Sequence, residues 1–325
     1  MANRLAWFLT PAGKRFSSVA VTVGACATGI GAWFSQTLFL DNYRDFVALR
    51  KNSIPLAVPE KLEKLFTSVL EDLSFSDYYK TISRPFMVFG FDVYNIGSLC
   101  TRKGTYIGLP INFTYDSPSS IQKHEIFIKD EAINWNRDDA QQLLASLVLS
   151  EDAKKYAIGS QLLATDNNRI VWNSLGSGSL IGCCYALSSG WNRSMDLFSK
   201  PRAVRLVLYS LTCTFFWGLW AMQKDTMIRY YESTADEHLS QLGDKYINGA
   251  IEYYEKALAR NKAFRTLLGA DGAKSFNTDG DETYFFRQKH LPFTARKEFF
   301  EKKLKDRTAV EETKKVEEIV GNAVN

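Results

Sequence analysis

The sequence predicts an α-helical multi-pass membrane protein with three candidate spans, a small α+β soluble domain and a helical C-terminal region. Three observations carry that reading. Charged residues are absent from three long runs, residues 16–40, 170–192 and 206–223, of 25, 23 and 18 residues. A helix rises about 1.5 Å per residue, so about 17 to 25 residues cross a hydrocarbon core about 30 Å thick. Between the first two runs, 15 basic residues nearly balance 17 acidic ones over 41–169, the charge pattern of a folded soluble unit. After the third run, apolar residues recur three or four apart for about forty residues, a helical period.

The average composition, 46% apolar and 23% charged, hides this segregation. A net charge of +4 is too weak and too dispersed along the chain to suggest a nucleic-acid partner. Four of the five cysteines (Cys26, Cys183, Cys184 and Cys213, but not Cys100) fall inside the charge-free runs. Nothing resembles a CxxC pair or a secreted disulfide framework, so they read as small apolar fillers.

Residues 1–15, "MANRLAWFLTPAGKR", hold Arg4, Lys14 and Arg15 and no acid, and the first carboxylate is Asp41. This basic flank fits a mitochondrial import signal or the inner flank of a signal anchor. A secretory peptide fits less well, because Trp33–Phe34 followed by Gln36 makes a poor cleavage site. Within the first predicted span, 16–40, Ala20, Gly24 and Thr28 fall four apart, as do Ala27 and Gly31. Small residues at that interval let helix backbones approach closely.

In the α+β domain, 41–169, Pro59 opens a helix whose apolar set is Leu62, Leu65, Phe66, Val69, Leu70 and Leu73. Aromatic and branched residues broken by glycines over 84–115 predict two or three short strands, and "EIFI" at 125–128 could add another. One further helix is expected over about 137–163, with Leu143, Leu144, Leu147 and Val148 on one side.

The second run contains "GSGSLIGCCYALSSG", where Ser174, Gly178, Gly182, Ala186 and Gly190 form a small-residue stripe. A phosphate loop would need a Lys–Ser or Lys–Thr pair where Cys183–Cys184 stands. A flexible linker would not carry Leu180, Ile181, Tyr185 and Leu187, so 170–192 reads as a membrane helix. The third run, 206–223, is bulkier, with Trp217 and Trp220 near one end, where aromatics favour the headgroup layer. The loop 193–205 holds Arg193, Lys200, Arg202 and Arg205 against Asp196. Three spans place this loop and the basic leader on one side, as positive charge requires. The C-terminal region then shares a compartment with 41–169.

A helix is expected over about 224–268, with Ala235, Leu239, Leu242, Tyr246, Ala250, Tyr254 and Leu258 on one stripe, ended by Gly269 and Asp271–Gly272. This C-terminal domain runs to 296. Beyond it, 297–325 alternates acid and base, with Glu298–Lys302 and Glu301–Lys305 four apart, and reads as a solvated helix.

No catalytic or metal motif emerges. His124, His238 and His290 are far apart, and no HExxH, GxSxG or GxGxxG appears in context. "NTDGDE" lacks the alternating acids and later glutamate of a calcium loop. None of the charge-free runs carries an ionisable acid or base of the kind that ion pathways use. The expectation is therefore no enzyme, no cofactor and no metal. Two sequons, Asn112-Phe-Thr114 and Asn192-Arg-Ser194, matter only in the secretory pathway.

The C-terminal third carries a resemblance. "GAIEYYEKALARNKAFRTLLGADG" and "RQKHLPFTARK" resemble the transmembrane protein 177 family, at Gly249, Tyr254, Glu255, Lys256, Leu258, Asn261, Ala263, Arg265, Leu267, Leu268, Gly269, Asp271 and Gly272, then Lys289, His290, Leu291, Pro292 and Thr294. "GTYIGLP" and "LVLSEDAKKYA" are weaker echoes, and nothing is carried over beyond Phe300. The resemblance implies a multi-pass protein of the mitochondrial inner membrane that helps cytochrome c oxidase mature. It would act with the assembly chaperone of newly made cytochrome c oxidase subunit II, its amino terminus in the matrix. The partners so implied are subunit II, that chaperone and membrane lipid, with no nucleic acid. Of the motif residues, Tyr254, Leu258, Leu267 and Leu268 can pack the helix onto the 41–169 domain, with Gly269 and Gly272 as a helix stop and a turn. The alternative is a partner surface around Tyr254, Glu255, Lys256, Arg265, Lys289 and His290, where charges flank aromatics. Helix packing in the membrane is expected at Ala20, Gly24, Gly178, Gly182, Ala186 and Gly190. Two rival readings stay open. One is a decayed membrane metallopeptidase, in which residues 157–161 replace a His–Glu zinc pair. The other is an endoplasmic-reticulum interaction protein glycosylated at Asn112.

Overall fold

The fold follows from three long apolar helices leaving one body that both halves of the chain build. The structure, a computed structural model, describes residues 7, 8, 10–121, 123, 126–128 and 131–323. His124 and Glu125, and with Glu125 the start of the strand expected over 125–128, lie outside the described residues, as does the leader up to residue 6.

Helix α1 spans Pro11–Ser35, capped by Thr10, whose Oγ1 accepts from the Gly13 amide at 3.1 Å. It therefore starts five residues before the charge-free run, because the cap and Pro11 set the first turn. The chain turns and α2, Leu40–Val47, follows. A short hairpin, β1 (Arg50–Lys51) and β2 (Ile54–Pro55), leads to α3, Glu60–Asp72, with Pro59 at its N-cap and the expected apolar stripe buried. After α4, Asp77–Ile82, come β3 (Ser83–Val88), β4 (Tyr94–Gly97) and β5 (Thr105–Pro110). They form one sheet in the order β3-β5-β4, β5 lying parallel to β3 and antiparallel to β4. The central strand, TYIGLP, is buried along its whole length. A minimal hairpin, β6 (Phe127–Ile128) and β7 (Glu131–Ala132), precedes the next helices.

The single helix expected over 137–163 is two, α5 (Asp138–Leu147) and α6 (Glu151–Leu163). Ser150 is the reason: its Oγ caps Ala153, while its own amide donates to Glu252 at 2.9 Å. Helix α6 then runs through the middle of the body, with Tyr156 and Ile158 fully buried.

Helices α7 (Arg169–Ser194) and α8 (Arg202–Gln241) complete the bundle, and all three long helices are long and apolar enough to cross a membrane. The helix expected over 224–268 is likewise divided. Its first part continues the third span without a break, so α8 is a rod of 40 residues, about 60 Å long. Gly243, at φ 122°, turns the chain into α9, Asp244–Leu267. A short α10, Ala270–Ser275, and the long α11, Phe293–Ala323, end the described chain.

One core joins α3, β5, α6, α8, α9 and α11 through Phe66, Leu109, Tyr156, Leu239, Tyr254 and Phe300. The described residues of 41–168 and 224–323 therefore lie on the same side of the bundle, as the two crossings between them demand. The charged tail is corrected by this packing. Its first turns are not merely solvated, because Phe300 is fully buried and Phe299 and Leu304 pack beside it.

Candidate functional site

Two features stand where the bundle meets the body: a close helix crossing and a cavity. Helix α7 is the middle span, packed along α1 on one side and α8 on the other, with no comparable contact joining α1 to α8. The crossing with α1 is made by backbone. A Cβ added at Gly178 would sit 3.0 Å from the Ala25 carbonyl oxygen, and one at Gly29 would sit 2.9 Å from that of Ser174. On the α8 side, a Cβ at Gly176 would meet the Trp220 ring at 2.8 Å.

Of the six positions expected to pack in the membrane, Gly178 is at a close crossing. Ala20, Ala186 and Gly190 are exposed, and a Cβ at Gly24, Gly182 or Gly190 would meet nothing. The contact runs along Ala25–Gly29 instead of Ala20–Gly24, because α7 lies one position further round α1. Part of the α7 stripe is thereby left bare, at Gly182, Ala186 and Gly190.

The cavity, about 750 Å³, lies directly above that crossing. The end of α1 and the start of α2 supply Ala32, Gln36 and Tyr43; α7 supplies Arg169, Asn173 and Ser177; α8 supplies Trp220, Lys224, Tyr231 and Glu232. The body closes it with Tyr94, Asn95, Tyr156, Ser160, Gln161, Tyr254 and Arg296, and the segment before α11 with Glu282, Tyr284, Gln288, His290, Leu291 and Pro292. Arg169 is oriented by Asn95, whose Oδ1 accepts from its Nη2 at 2.9 Å and whose Nδ2 in turn donates to Gln161.

A buried polar network forms the deep wall. Arg296 donates from Nε and Nη2 to the two oxygens of Asp236, at 2.7 Å each, with both side chains under a tenth exposed. The Tyr156 hydroxyl donates to Asp236 at 2.7 Å and lies 2.6 Å from the Tyr254 hydroxyl, whose ring faces the Arg296 guanidinium at 5.1 Å. Burial holds both tyrosine hydroxyls well above their ordinary range, so they stay neutral donors. Burial also opposes the charge on Arg296, but the Tyr254, Asp236 and Tyr156 groups around it outweigh that, and it stays protonated.

Acids on α8 clamp the C-terminal segment. Asp225 accepts from Arg287 through both its oxygens, at 2.8 and 2.7 Å. Glu232 holds His290 Nδ1 at 2.6 Å and accepts from the Leu291 amide at 2.9 Å. Glu237 takes Lys303 and Asp244, past the end of α8, takes Arg307. Beside Arg287, Phe285 and Phe286 stack edge to face at 4.3 Å and are both about nine-tenths exposed. They stand at the level where α8 leaves its charge-free run.

The expected partner surface is largely spoken for. Tyr254 is 1% exposed and belongs to the core, so no partner can reach it. Glu255 pairs with Lys297 at 2.9 Å, Lys256 donates to the Ala145 carbonyl at 2.9 Å, and Arg265 donates to the carbonyls of Ala273 and Phe276. His290 serves the clamp, and Lys289 is exposed. These residues are not brought together as one surface. The sequence reading missed Arg169, Lys224, Asp236 and Arg296. Arg169 and Lys224 were visible as charges flanking two spans.

Neither rival reading gains a handle. Residues 157–161 lie on α6 within the body core, and no group of three His, Cys, Asp or Glu among the described residues could hold a metal. Asn112 is 3% exposed, and Asn192 accepts from the Tyr209 hydroxyl at 2.6 Å on α7.

A family model described as Transmembrane protein 177 matches residues 86–316. That span reaches beyond Phe300, where the resemblance read from the sequence stops. The chain is 28% identical to Transmembrane protein 177 of Homo sapiens over 279 residues, 85% of this chain and 89% of the relative. It is 27% identical to the Xenopus laevis protein of that name over 75% and 79% of the two chains, and 25% identical to the Danio rerio protein over 88% and 96%. No solved structure matches.

Proposed function

The chain belongs to the transmembrane protein 177 family, and from that premise we propose that it is a non-enzymatic assembly factor of the mitochondrial inner membrane. It acts in cytochrome c oxidase biogenesis, with the chaperone of newly made subunit II. The observation that supports this reading is the bare face at Gly182, Ala186 and Gly190. The same stripe brings α7 against α1 at Gly178, so its continuation is shaped for another helix backbone. A client span lying there would emerge from the bilayer on the side where its soluble domain meets either the body or the 193–205 loop. Helix α8 runs unbroken from the bundle into the body core and so joins the two parts.

The test is removal of the protein from mitochondria followed by pulse labelling. The expected result is a fall in newly made subunit II and in its chaperone, and unchanged levels of both would sink the proposal. Resupply of the chain carrying Gly182→Leu and Gly190→Leu restores the body and membrane insertion but not subunit II, since a bulky side chain there meets only the incoming helix. Protease protection of a C-terminal tag in mitochondria and mitoplasts checks the compartment. With the amino terminus in the matrix and three spans, the tag is expected to be protected in mitochondria and digested in mitoplasts, as for a body facing the intermembrane space.

A further inference from the structure

Charge accounting around the boundary cavity singles out two cations. Each acid lining it is engaged: Asp92 with Arg260, Glu232 with His290 and the Leu291 amide, and Glu282 with the Tyr284 hydroxyl. Arg296 is engaged by Asp236. Arg169 and Lys224 remain. Among the described residues neither has a carboxylate within ion-pair distance; Arg169 is held by Asn95, and Lys224 lies over the Trp220 ring at 5.7 Å. They face the cavity from two different helices, α7 and α8. Two unpaired cations in one partly buried cavity are a site for an anion.

The depth of the cavity identifies what kind of anion. Ala32, Ser177 and Trp220 lie inside the charge-free runs of all three spans, so its floor is at membrane depth. Below the cavity, α1 and α8 each pack on α7 and not comparably on each other, and the spans carry exposed apolar side chains such as Ile30, Val171 and Leu219. A ligand with a phosphate head and apolar tails suits that position: the head in the cavity with Arg169 and Lys224, the tails along the apolar faces of the spans. A volume of about 750 Å³ far exceeds what a bare phosphate needs. We infer that this cavity binds the headgroup of an anionic phospholipid drawn from the surrounding leaflet. The inference stands apart from the client reading, because the lipid site uses the body end of the bundle and the bare α7 face the other.

The full chain, purified in neutral detergent, is mixed with phosphatidylglycerol or phosphatidylcholine, and retained lipid is counted by native mass spectrometry. One phosphatidylglycerol per chain is expected to survive activation that strips phosphatidylcholine. Its retention falls about tenfold in Arg169→Gln and in Lys224→Gln, the loss of one charged hydrogen bond, and is unchanged in Arg229→Gln, a cation outside the cavity lining. Circular dichroism and size exclusion confirm that each variant is folded, and Lys224→Gln, exposed to the cavity rather than packed, keeps the test valid if Arg169→Gln is not. Equal retention of the two lipids, or retention indifferent to both substitutions, overturns the inference. So does inorganic phosphate that displaces phosphatidylglycerol and raises the melting temperature as much by itself, because the site then takes a soluble anion. Newly made subunit II is measured separately, so a failed lipid test leaves the proposed function standing, and the reverse holds too.

Discussion

Arg296 and Arg169 line the same cavity and are put to opposite uses. Arg296 is one of the most enclosed charges in the body, gripped through two nitrogens by Asp236 and covered by two tyrosines. Arg169, at the first turn of a span, is steadied by a neutral amide and has no carboxylate within ion-pair distance among the described residues. A buried arginine with its carboxylate is a finished interaction, which can contribute specificity to the fold and nothing to a ligand. One oriented by an amide keeps its charge available. Partner identity, not burial, separates scaffold from site in this molecule.

The sharpest way to break that contrast is to remove each charge in turn. Arg296→Gln leaves Asp236 buried without its cation and is expected to cost about 3–5 kcal/mol, read as a large fall in the thermal midpoint of the purified chain. Replacing both partners, Arg296→Leu with Asp236→Leu, should recover much of that loss, because no uncompensated charge remains. Arg169→Gln should cost about 1 kcal/mol or less, the value of one ordinary hydrogen bond. If it proved as damaging as Arg296→Gln, Arg169 would be scaffold and the contrast would fail.

A second comparison, between two glycines of one stripe, has the next largest expected effect. Gly178→Leu drives a side chain into the α1 backbone and is expected to cost about 1–3 kcal/mol, the range for overpacking a tight contact. Gly182→Leu, one turn on, meets open space and should leave the thermal midpoint unchanged. Equal effects at both positions would mean that the bundle holds a further contact at Gly182.

How much of this was legible in the sequence follows from how local each feature is. The spans are written in uninterrupted runs without charge, and the stripe of α3 in one helical period, so both could be read directly. The break at Gly243 was hidden because Leu239 and Tyr246, on either side of it, face the same core and keep the periodicity going. The break before Ser150 was hidden because Leu147 and Leu149 are both buried on either side of an extended residue. Tyr254 lies on the apolar stripe of its helix but is followed by Glu255 and Lys256, so the sequence left it between core and partner surface; its hydroxyl meets that of Tyr156 inside the body. The Phe299–Phe300 pair was the one signal that the charged tail begins inside the core. The cavity had no such signal, since its lining comes from separate stretches that meet only after α7 and α8 stand side by side.

The clamp between α8 and the segment before α11 offers the smallest and most specific test. His290 lies 2.6 Å from Glu232, and the hydrogen bond to that carboxylate raises its pKa above the usual histidine value. The protonated form is therefore the one the fold favours. Its contribution is fully present below the unfolded value of about 6.5 and is lost as pH rises through the higher folded value. His290 is half exposed, so solvent screens the pair and the effect should stay below about 1 kcal/mol. The midpoint of the wild-type chain is expected to drop slightly as pH is raised from about 6 to 8, relative to His290→Gln, whose curve lacks that component. Arg296, 4.0 Å from the same glutamate, cannot titrate in this range and supplies a constant background. Parallel curves for the two proteins would show that Leu291 and Arg296 hold Glu232 without help from the imidazole, and that the histidine of this motif is a spacer in the clamp and not its latch.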